Sequence, residues 1–286
     1  MTQRTVGILH PGQMGVSIAA SAMNSGQDVL WCSEGRSEDT RARAVKHGLR
    51  EVGTLKEFSS ACDAVISVCP PDAAETVAQS VLESGFRGLY MDANAISPQR
   101  AVRIAKMVQG TGATFVDGSI IGPPAWKPNT TWLYLSGADA VTAARLFDGG
   151  PVMAVVMGDE AGQASALKMC YSANTKGTTA LLTAVLGAAE ALGVRGVLEE
   201  QWRKEGSGLD EKAPRGARNV TAKAWRFAGE MDEISDTFSG VGLPGGFHAA
   251  AADIYRRLAG FKDAEEIPPL DEVLVALLAQ TPDAGV

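Results

Sequence analysis

The fold is decided by Thr5-Val-Gly-Ile-Leu-His-Pro-Gly-Gln-Met-Gly15-Val-Ser-Ile-Ala-Ala-Ser21. Val6, Ile8 and Leu9 form a short apolar run suited to a buried parallel strand. A glycine-bearing turn follows, and Val16, Ile18, Ala19 and Ala22 then recur at helical spacing. Strand, glycine turn and helix in direct succession leave a helix start whose N–H groups and dipole favour a pyrophosphate, so a dinucleotide is expected here. Gly12 would let the backbone approach the phosphates, and Gly15 would let helix and strand pack closely. His10 stands where the G-x-G-x-x-G fingerprint has its first glycine, and it is read as a variation within the turn. Pro11 can fix φ but offers no N–H, so the phosphates are expected to rely on Gln13, Met14 and Gly15.

Further strand and helix units follow. The first helix should close at Gly26, and Asp28 to Cys32 reads as the second strand. Its end meets the adenosine ribose in a fold of this kind. Ser33, Arg36 and Ser37 suit the 2′-phosphate of NADP, while Glu34 could bind the ribose of NAD instead. NADP is preferred, because Arg supplies the charge-assisted bonds that a phosphate takes. Arg41 to His47 reads as a short polar helix. Asp63 to Cys69 is a continuous apolar run, hence a central strand, and Pro70-Pro71 stops it. Cys69, Pro70 and Pro71 are candidates to wall the nicotinamide end of the crevice, where strand C-termini converge. Gly88 to Asp92 is the next strand, and Asn94 just beyond it is a candidate for cofactor and substrate contact. Ser97-Pro98 opens a helix to Val108. Ala113 to Asp117 is a strand, followed by Gly118-Ser-Ile-Ile-Gly-Pro-Pro-Ala-Trp126, a loop able to offer N–H groups to an anionic substrate. Thr131 to Ser136 and Pro151 to Met157 are two more strands, with a helix from Ala140 to Phe147 between them.

Composition changes at Gly158. From there to Leu192 the chain is rich in Ala, Leu, Met and Thr and lacks proline, which reads as one helix about 50 Å long. Helices are expected over Val197–Arg203, Val220–Phe238, Phe247–Leu258 and Asp271–Ala279, with a polar break at Gly206-Ser-Gly208 and a loose tail from Thr281. The chain therefore divides into an α/β dinucleotide-binding domain over 1–157, a doubly wound Rossmann-like sheet, and an all-helical domain over 158–286. The apolar long helix implies burial against a second subunit, so a homodimer through the helical domain is expected.

Bulk properties fit this reading. With 286 residues, 45% hydrophobic and 21% charged, the chain has ordinary globular composition. A net charge of −7 and no Lys/Arg stripe speak against a nucleic-acid binder. Cys32, Cys62, Cys69 and Cys170 form no C-x-x-C pair and join no His cluster, so no metal site is expected. Cys32, Cys69 and Cys170 have apolar neighbours that fit buried, reduced thiols. No signal peptide and no membrane-spanning run are read, and a cytoplasmic protein is expected.

Val6-Gly-Ile…Gly12-Gln-Met-Gly15, Val68-Cys-Pro-Pro71, Met91-Asp-Ala-Asn94…Ser97-Pro98, Phe115-Val-Asp117…Gly122 and Gly162…Lys168 occur in this order. In these features the whole chain resembles the β-hydroxyacid dehydrogenase superfamily, which includes 3-hydroxyisobutyrate dehydrogenases, 6-phosphogluconate dehydrogenase and imine reductases. The resemblance implies an NADP-dependent oxidoreductase that moves a hydride between nicotinamide and a small hydroxy acid or related alcohol/carbonyl pair. It implies Lys168, six residues after Gly162, as general acid and base. Such a group is needed because hydride leaves a carbinol carbon only as the hydroxyl proton is removed. Asn94, Ser119, Gly122, Tyr171 and Ser172 would orient the substrate. Two features depart from the family. Tyr171 and Ser172 stand where an Asn usually follows the lysine, and Ile121-Gly122-Pro123 replaces Ser-Gly-Gly, the carboxylate-holding sequence. Lys176, Tyr171 or Trp126 could then anchor the substrate, and His248 is read as structural. Imine reduction on the same scaffold and a non-catalytic NADP sensor are the other two readings.

Overall fold

The computed structural model describes residues 3–262 and 264–279. The tail from Thr281 lies outside the described residues. Eight strands, β1 Thr5–Ile8, β2 Asp28–Cys32, β3 Arg50–Val52, β4 Ala64–Ser67, β5 Leu89–Asp92, β6 Thr114–Ile121, β7 Trp132–Ser136 and β8 Met153–Gly158, form one sheet. Its order is β3-β2-β1-β4-β5-β6-β7-β8. All pairings are parallel except β6 with β7. Helices α1 Gln13–Asn24, α2 Glu38–Lys46, α3 Leu55–Ala61, α4 Ala74–Glu83, α5 Pro98–Gln109 and α6 Ala140–Ala144 connect the strands. One face of the sheet packs against α1, α2 and α6 through residues such as Val16, Ile18, Ala44 and Ala143. The other packs against α3, α4 and α5 through Phe58, Val81 and Ile104. Both faces are covered, which explains why the central strands read as unbroken apolar runs.

Helical turns then run as α7 Gln163–Ser172, a π-helical stretch Ala173–Gly177 and α8 Thr178–Ala191. The long helix therefore begins at Gln163, not at Gly158, because β8 uses residues up to Gly158 to pair with β7. It is also not uniform, since the π stretch interrupts it. After α8 come α9 Arg195–Glu205, α10 Leu209–Asn219, α11 Ala224–Gly240, α12 Gly246–Arg257 and α13 Leu270–Leu278. Helix α8 packs against α9, α10, α12 and α13.

The backbone divides into two compact units, Met1–Met169 and Cys170–Val286, so the division falls beyond the change in composition at Gly158. Strand β8 and the start of α7 go with the first unit. The sheet supplies their hydrogen-bond partners, since Gly162 and Ser165 are tied to Asp117 on β6.

Three elements escape sequence reading. Strand β3 lies at the sheet edge, with Arg50 and Glu51 exposed, so it carries no apolar run. Helix α3 is too short for a periodic signal and is held by the Thr54 cap and by fully buried Phe58. Helix α10 contains Pro214 and buries only Ala213 and Ala217, a face too small to stand out by hydrophobicity. Two thiols are also less buried than their neighbours imply. Cys69 is partly exposed at a strand end, and Cys170 is exposed on the side of α7 away from buried Ser165 and Ser172. No helix among the described residues is long and apolar enough to cross a membrane.

Candidate active site at the strand ends

In the opening turn Gly12 N donates to His10 O at 2.8 Å, and Val16 N donates to Gly12 O at 2.9 Å. The N–H groups of Gln13, Met14 and Gly15 are thus the first-turn donors with no acceptor inside the helix. Arg43 donates to Pro11 O at 3.2 Å and holds the turn from α2. A Cβ on Gly15 would stand 2.1 Å from His10 O, so only glycine fits this crossing of helix and turn. A Cβ on Gly12 would meet no protein atom within 4 Å. The chain's packing therefore leaves room for a side chain at Gly12.

Beside the turn, Leu9, His10, Cys32, Glu34, Arg36 and Val77 help line a cavity of about 220 Å³. His10 Nδ1 and Arg36 Nε are buried there without hydrogen-bond partners. Burial, with the Arg36 charge adding to it, lowers the His10 pKa to about 4, so the imidazole is neutral near pH 7. Two buried nitrogens without partners, one of them in a guanidinium, give this cavity the chemistry to hold the adenosine end of a phosphorylated dinucleotide. The other groups at the end of β2 have partners within the chain. Ser33 Oγ donates to Val52 O, with the residue 3% exposed. Ser37 caps α2 by accepting from Thr40 N. Glu34 accepts from Leu55 N at 2.8 Å and so satisfies the start of α3. Glu34 and Arg36 both line the cavity, Glu34 with one carboxylate oxygen on Leu55 N and Arg36 with an unmatched Nε.

Asn94 is 3% exposed. Its Oδ1 accepts from Cys69 N, and its Nδ2 donates to Ser67 Oγ at 3.2 Å and Asp92 Oδ2 at 3.0 Å. Its amide thus clamps the ends of β4 and β5 and fixes the backbone entering Pro70-Pro71. Asp92 is itself 1% exposed, and burial raises its pKa to about 7.

The chain after β6 is tied back to α1. Ala125 N donates to Ser17 Oγ at 2.9 Å, and Ser17 Oγ donates to Met14 O at 2.8 Å. Trp126 stacks on His47, with ring centroids 4.7 Å apart. Gly122 has φ +124 and lies so close to Thr130 O that a Cβ would stand 2.3 Å away, so the turn needs glycine. Ser119 is 1% exposed, and its Oγ has no partner.

Lys168 lies on α7, and its Nζ donates to Ile120 O of β6 at 2.7 Å. Asp117, fully buried on the same strand, accepts from Gly162 N, Ser165 N, Ser165 Oγ and Ser136 Oγ. Sequence reading used Asp92, Asp117 and Ser136 as strand ends, and Asp92 and Asp117 within family motifs, but gave none of them, nor Ser165, a role. Their signal is weak, because buried carboxylates are recognisable only by partners far away in the chain. Farther along α7, Tyr171 is 48% exposed and Ser172 is buried. Within the second unit, the Lys176 ammonium is paired with Glu230 and stands 4.7 Å from the Phe227 ring centroid. Lys176 is therefore not an unengaged cation for a substrate carboxylate. His248 packs between Phe238 and Phe247.

The family model for the NAD binding domain of 6-phosphogluconate dehydrogenase matches residues 5–147, half of the chain. The chain belongs to this family. It thereby falls within the β-hydroxyacid dehydrogenase superfamily that its motifs resemble. A domain of unknown function (DUF1932) matches residues 189–258. An uncharacterised 28.5 kDa protein of Methanothermus fervidus is 33% identical over 167 residues. That alignment spans 58% of this chain and 64% of the relative, just under two thirds of its length. A conserved protein of unknown function, whose structure is described as similar to 3-hydroxyacid dehydrogenases, matches with a TM-score of 0.66 and 29% identity, over 96% of this chain and all of the other. The 3-hydroxyisobutyrate dehydrogenase of Mycobacterium tuberculosis matches with a TM-score of 0.71 over 97% of this chain and 100% of that one. At 18% identity this last match is a likeness of fold.

Proposed function

We propose that this chain is an NADP-dependent oxidoreductase acting on a small hydroxy acid or related alcohol/carbonyl pair, with Lys168 as general acid and base. The reading is carried by one juxtaposition. The first unit contains both an NAD-family phosphate turn and, at the C-terminal half of β6, a lysine whose ammonium is held on Ile120 O. Gln13, Met14 and Gly15 would hold the pyrophosphate through backbone N–H groups, and Arg36 would take the 2′-phosphate. The unmatched Arg36 Nε at the cavity supports NADP over NAD, because a guanidinium there can make charge-assisted bonds to a 2′-phosphate. When bound, the nicotinamide supplies the hydride acceptor or donor. Lys168 accepts the substrate hydroxyl proton as an amine in oxidation, and donates a proton to the carbonyl oxygen as an ammonium in reduction. Gly122 shapes the loop facing the substrate. Asn94 contributes by fixing the Cys69–Pro71 wall.

The apolar Ile121–Pro123 sequence favours a second reading, imine reduction on the same scaffold. The helical unit is proposed to pair with a second copy of the chain, supported by exposed Leu181, Leu192 and Val197 on α8, α9 and their junction.

The test is an absorbance assay over hydroxy acids, alcohols, carbonyls and cyclic imines, in both directions, with NAD and NADP side by side. Turnover of a hydroxy acid or carbonyl with NADP, reduced at least ~10²-fold in Lys168→Ala with coenzyme affinity kept, is the expected result. Turnover of imines alone reverses the order of the two readings. Tight coenzyme binding without turnover of any class marks a sensor.

A further inference from the structure

We propose that Asp117 is a positioning residue: its carboxylate fixes the start of the helix that carries Lys168, and thereby where the Lys168 ammonium stands. The inference rests on the assignment of Lys168 as general acid and base.

A carboxylate inside a sheet is costly unless it is fully hydrogen-bonded. Asp117 meets that condition. Its Oδ2 accepts from Gly162 N at 2.9 Å, Ser165 N at 3.0 Å and Ser136 Oγ at 3.1 Å, and its Oδ1 accepts from Ser165 Oγ at 2.6 Å. Ser136 Oγ in turn accepts from Ala164 N at 3.1 Å. Asp117 and Ser136 together therefore take three backbone donors at the entrance to α7. A serine or threonine cap would satisfy one such donor with no charge to desolvate. Asp117 also lies in register beside buried Asp92, which makes its charge dearer still. The chain keeps this costly group where several donors must be held at once.

What it holds is the face of α7 that leads to Lys168. Ser165 and Lys168 are three residues apart, neighbours on one side of the helix. Lys168 donates to Ile120 O, three residues beyond Asp117 on the same strand. Helix α7 is thus fixed to β6 at two points, the Asp117 carboxylate and the Lys168 ammonium. Loss of the first leaves the second on a helix whose entrance keeps Ser136 Oγ as an acceptor for Ala164 N but has none for Gly162 N and Ser165 N. Misplacing a reacting group by about 1 Å can lower turnover by ~10²-fold.

The test uses the full chain and four variants: Asp117→Asn, Ser165→Ala, Lys168→Ala, and Asp117→Asn combined with Lys168→Ala. Asp117→Asn keeps one acceptor oxygen and turns an NH2 group toward N–H donors. Ser165→Ala removes only the 2.6 Å hydroxyl bond, and is the milder variant if Asp117→Asn does not fold. NADPH affinity is read by fluorescence, and it should stay within about twofold of wild type. Acetic anhydride labelling, read by mass spectrometry across pH, reports how Lys168 is held without any turnover. Lys168 should label several-fold faster than in wild type, relative to the other lysines, in Asp117→Asn and Ser165→Ala. On a substrate from the panel, kcat should fall about 10²-fold in Asp117→Asn and about tenfold in Ser165→Ala, with KM little changed. Adding Asp117→Asn to Lys168→Ala should cause no further loss. Unchanged labelling and unchanged kcat in a folded Ser165→Ala or Asp117→Asn protein overturn the inference. Full turnover by Lys168→Ala overturns the assignment of Lys168 itself, a distinct result because the labelling arm does not depend on it.

Discussion

Arg36 and Glu34 show how two residues two positions apart acquire different roles. Glu34 satisfies Leu55 N, whereas Arg36 brings an unmatched Nε to the cavity. On the proposed reading Arg36→Ala weakens NADPH binding at least ~10-fold and leaves NADH binding unchanged, since a charge-assisted bond to phosphate contributes about 1.5–3 kcal/mol. Equal weakening of both coenzymes, measured by fluorescence titration, would remove Arg36 as the selector. Three other groups make opposing contributions to the pH dependence of folding. Asp92 has its pKa raised from 3.8 to about 7, so between those values the folded chain holds a proton that the unfolded chain has released. Stability from Asp92 is therefore lost as pH rises through that window, and the raised pKa of Asp117 acts in the same sense. His10 has its pKa lowered from 6.5 to about 4, so there the unfolded chain binds the extra proton and stability is lost as pH falls. Each slope approaches about 1.4 kcal/mol per pH unit. Denaturant melts from pH 4 to 7, without added coenzyme, should show His10→Gln making the decline with rising pH steeper. Asp92→Asn should tilt the curve the other way. Parallel curves for the two variants and wild type would contradict both assignments.

At the scale of elements, the β1–α1 turn separates packing from access. Gly15→Ala places a Cβ against His10 O, a backbone atom that cannot swing aside, and should destabilise the fold by a few kcal/mol, on the order of an overpacked core. Gly12→Ala meets nothing in the protein, and the entropy gained by replacing glycine is offset by alanine being a poorer N-cap for α1, so its thermal midpoint should stay close to that of wild type. It should still lose coenzyme affinity, by at least ~10-fold if the methyl group stands where a phosphate must approach. A Gly12→Ala protein that binds NADPH normally would place the phosphates elsewhere. The turn, its helix and the apolar central strands are legible because their signals are local. Helix α10 and strand β3 are not, since a small-residue face and an edge strand carry little hydrophobic contrast.

At the scale of the whole molecule, the central strands of the sheet unit are covered on both faces, whereas the helical unit leaves Leu192, Val197 and Val275 70% or more exposed. A dimer joined through the helical unit would remove this surface from water. Light scattering at micromolar concentration should give twice the chain mass of 29.8 kDa. A monomeric mass would contradict the pairing. Sequence by itself determined the glycine turn between β1 and α1, most of the strands and helices of the first unit apart from β3 and α3, the Gly162–Lys168 spacing and the family. Each signal is carried by residues within a few positions of one another in the chain. Only the tertiary structure decided that Glu34 is occupied at Leu55 N, that Asn94 clamps two strand ends, and that Asp117 holds the helix bearing Lys168. The partners in the last case stand 45 and 48 residues apart, and a buried carboxylate is explained only by the donors that folding brings around it.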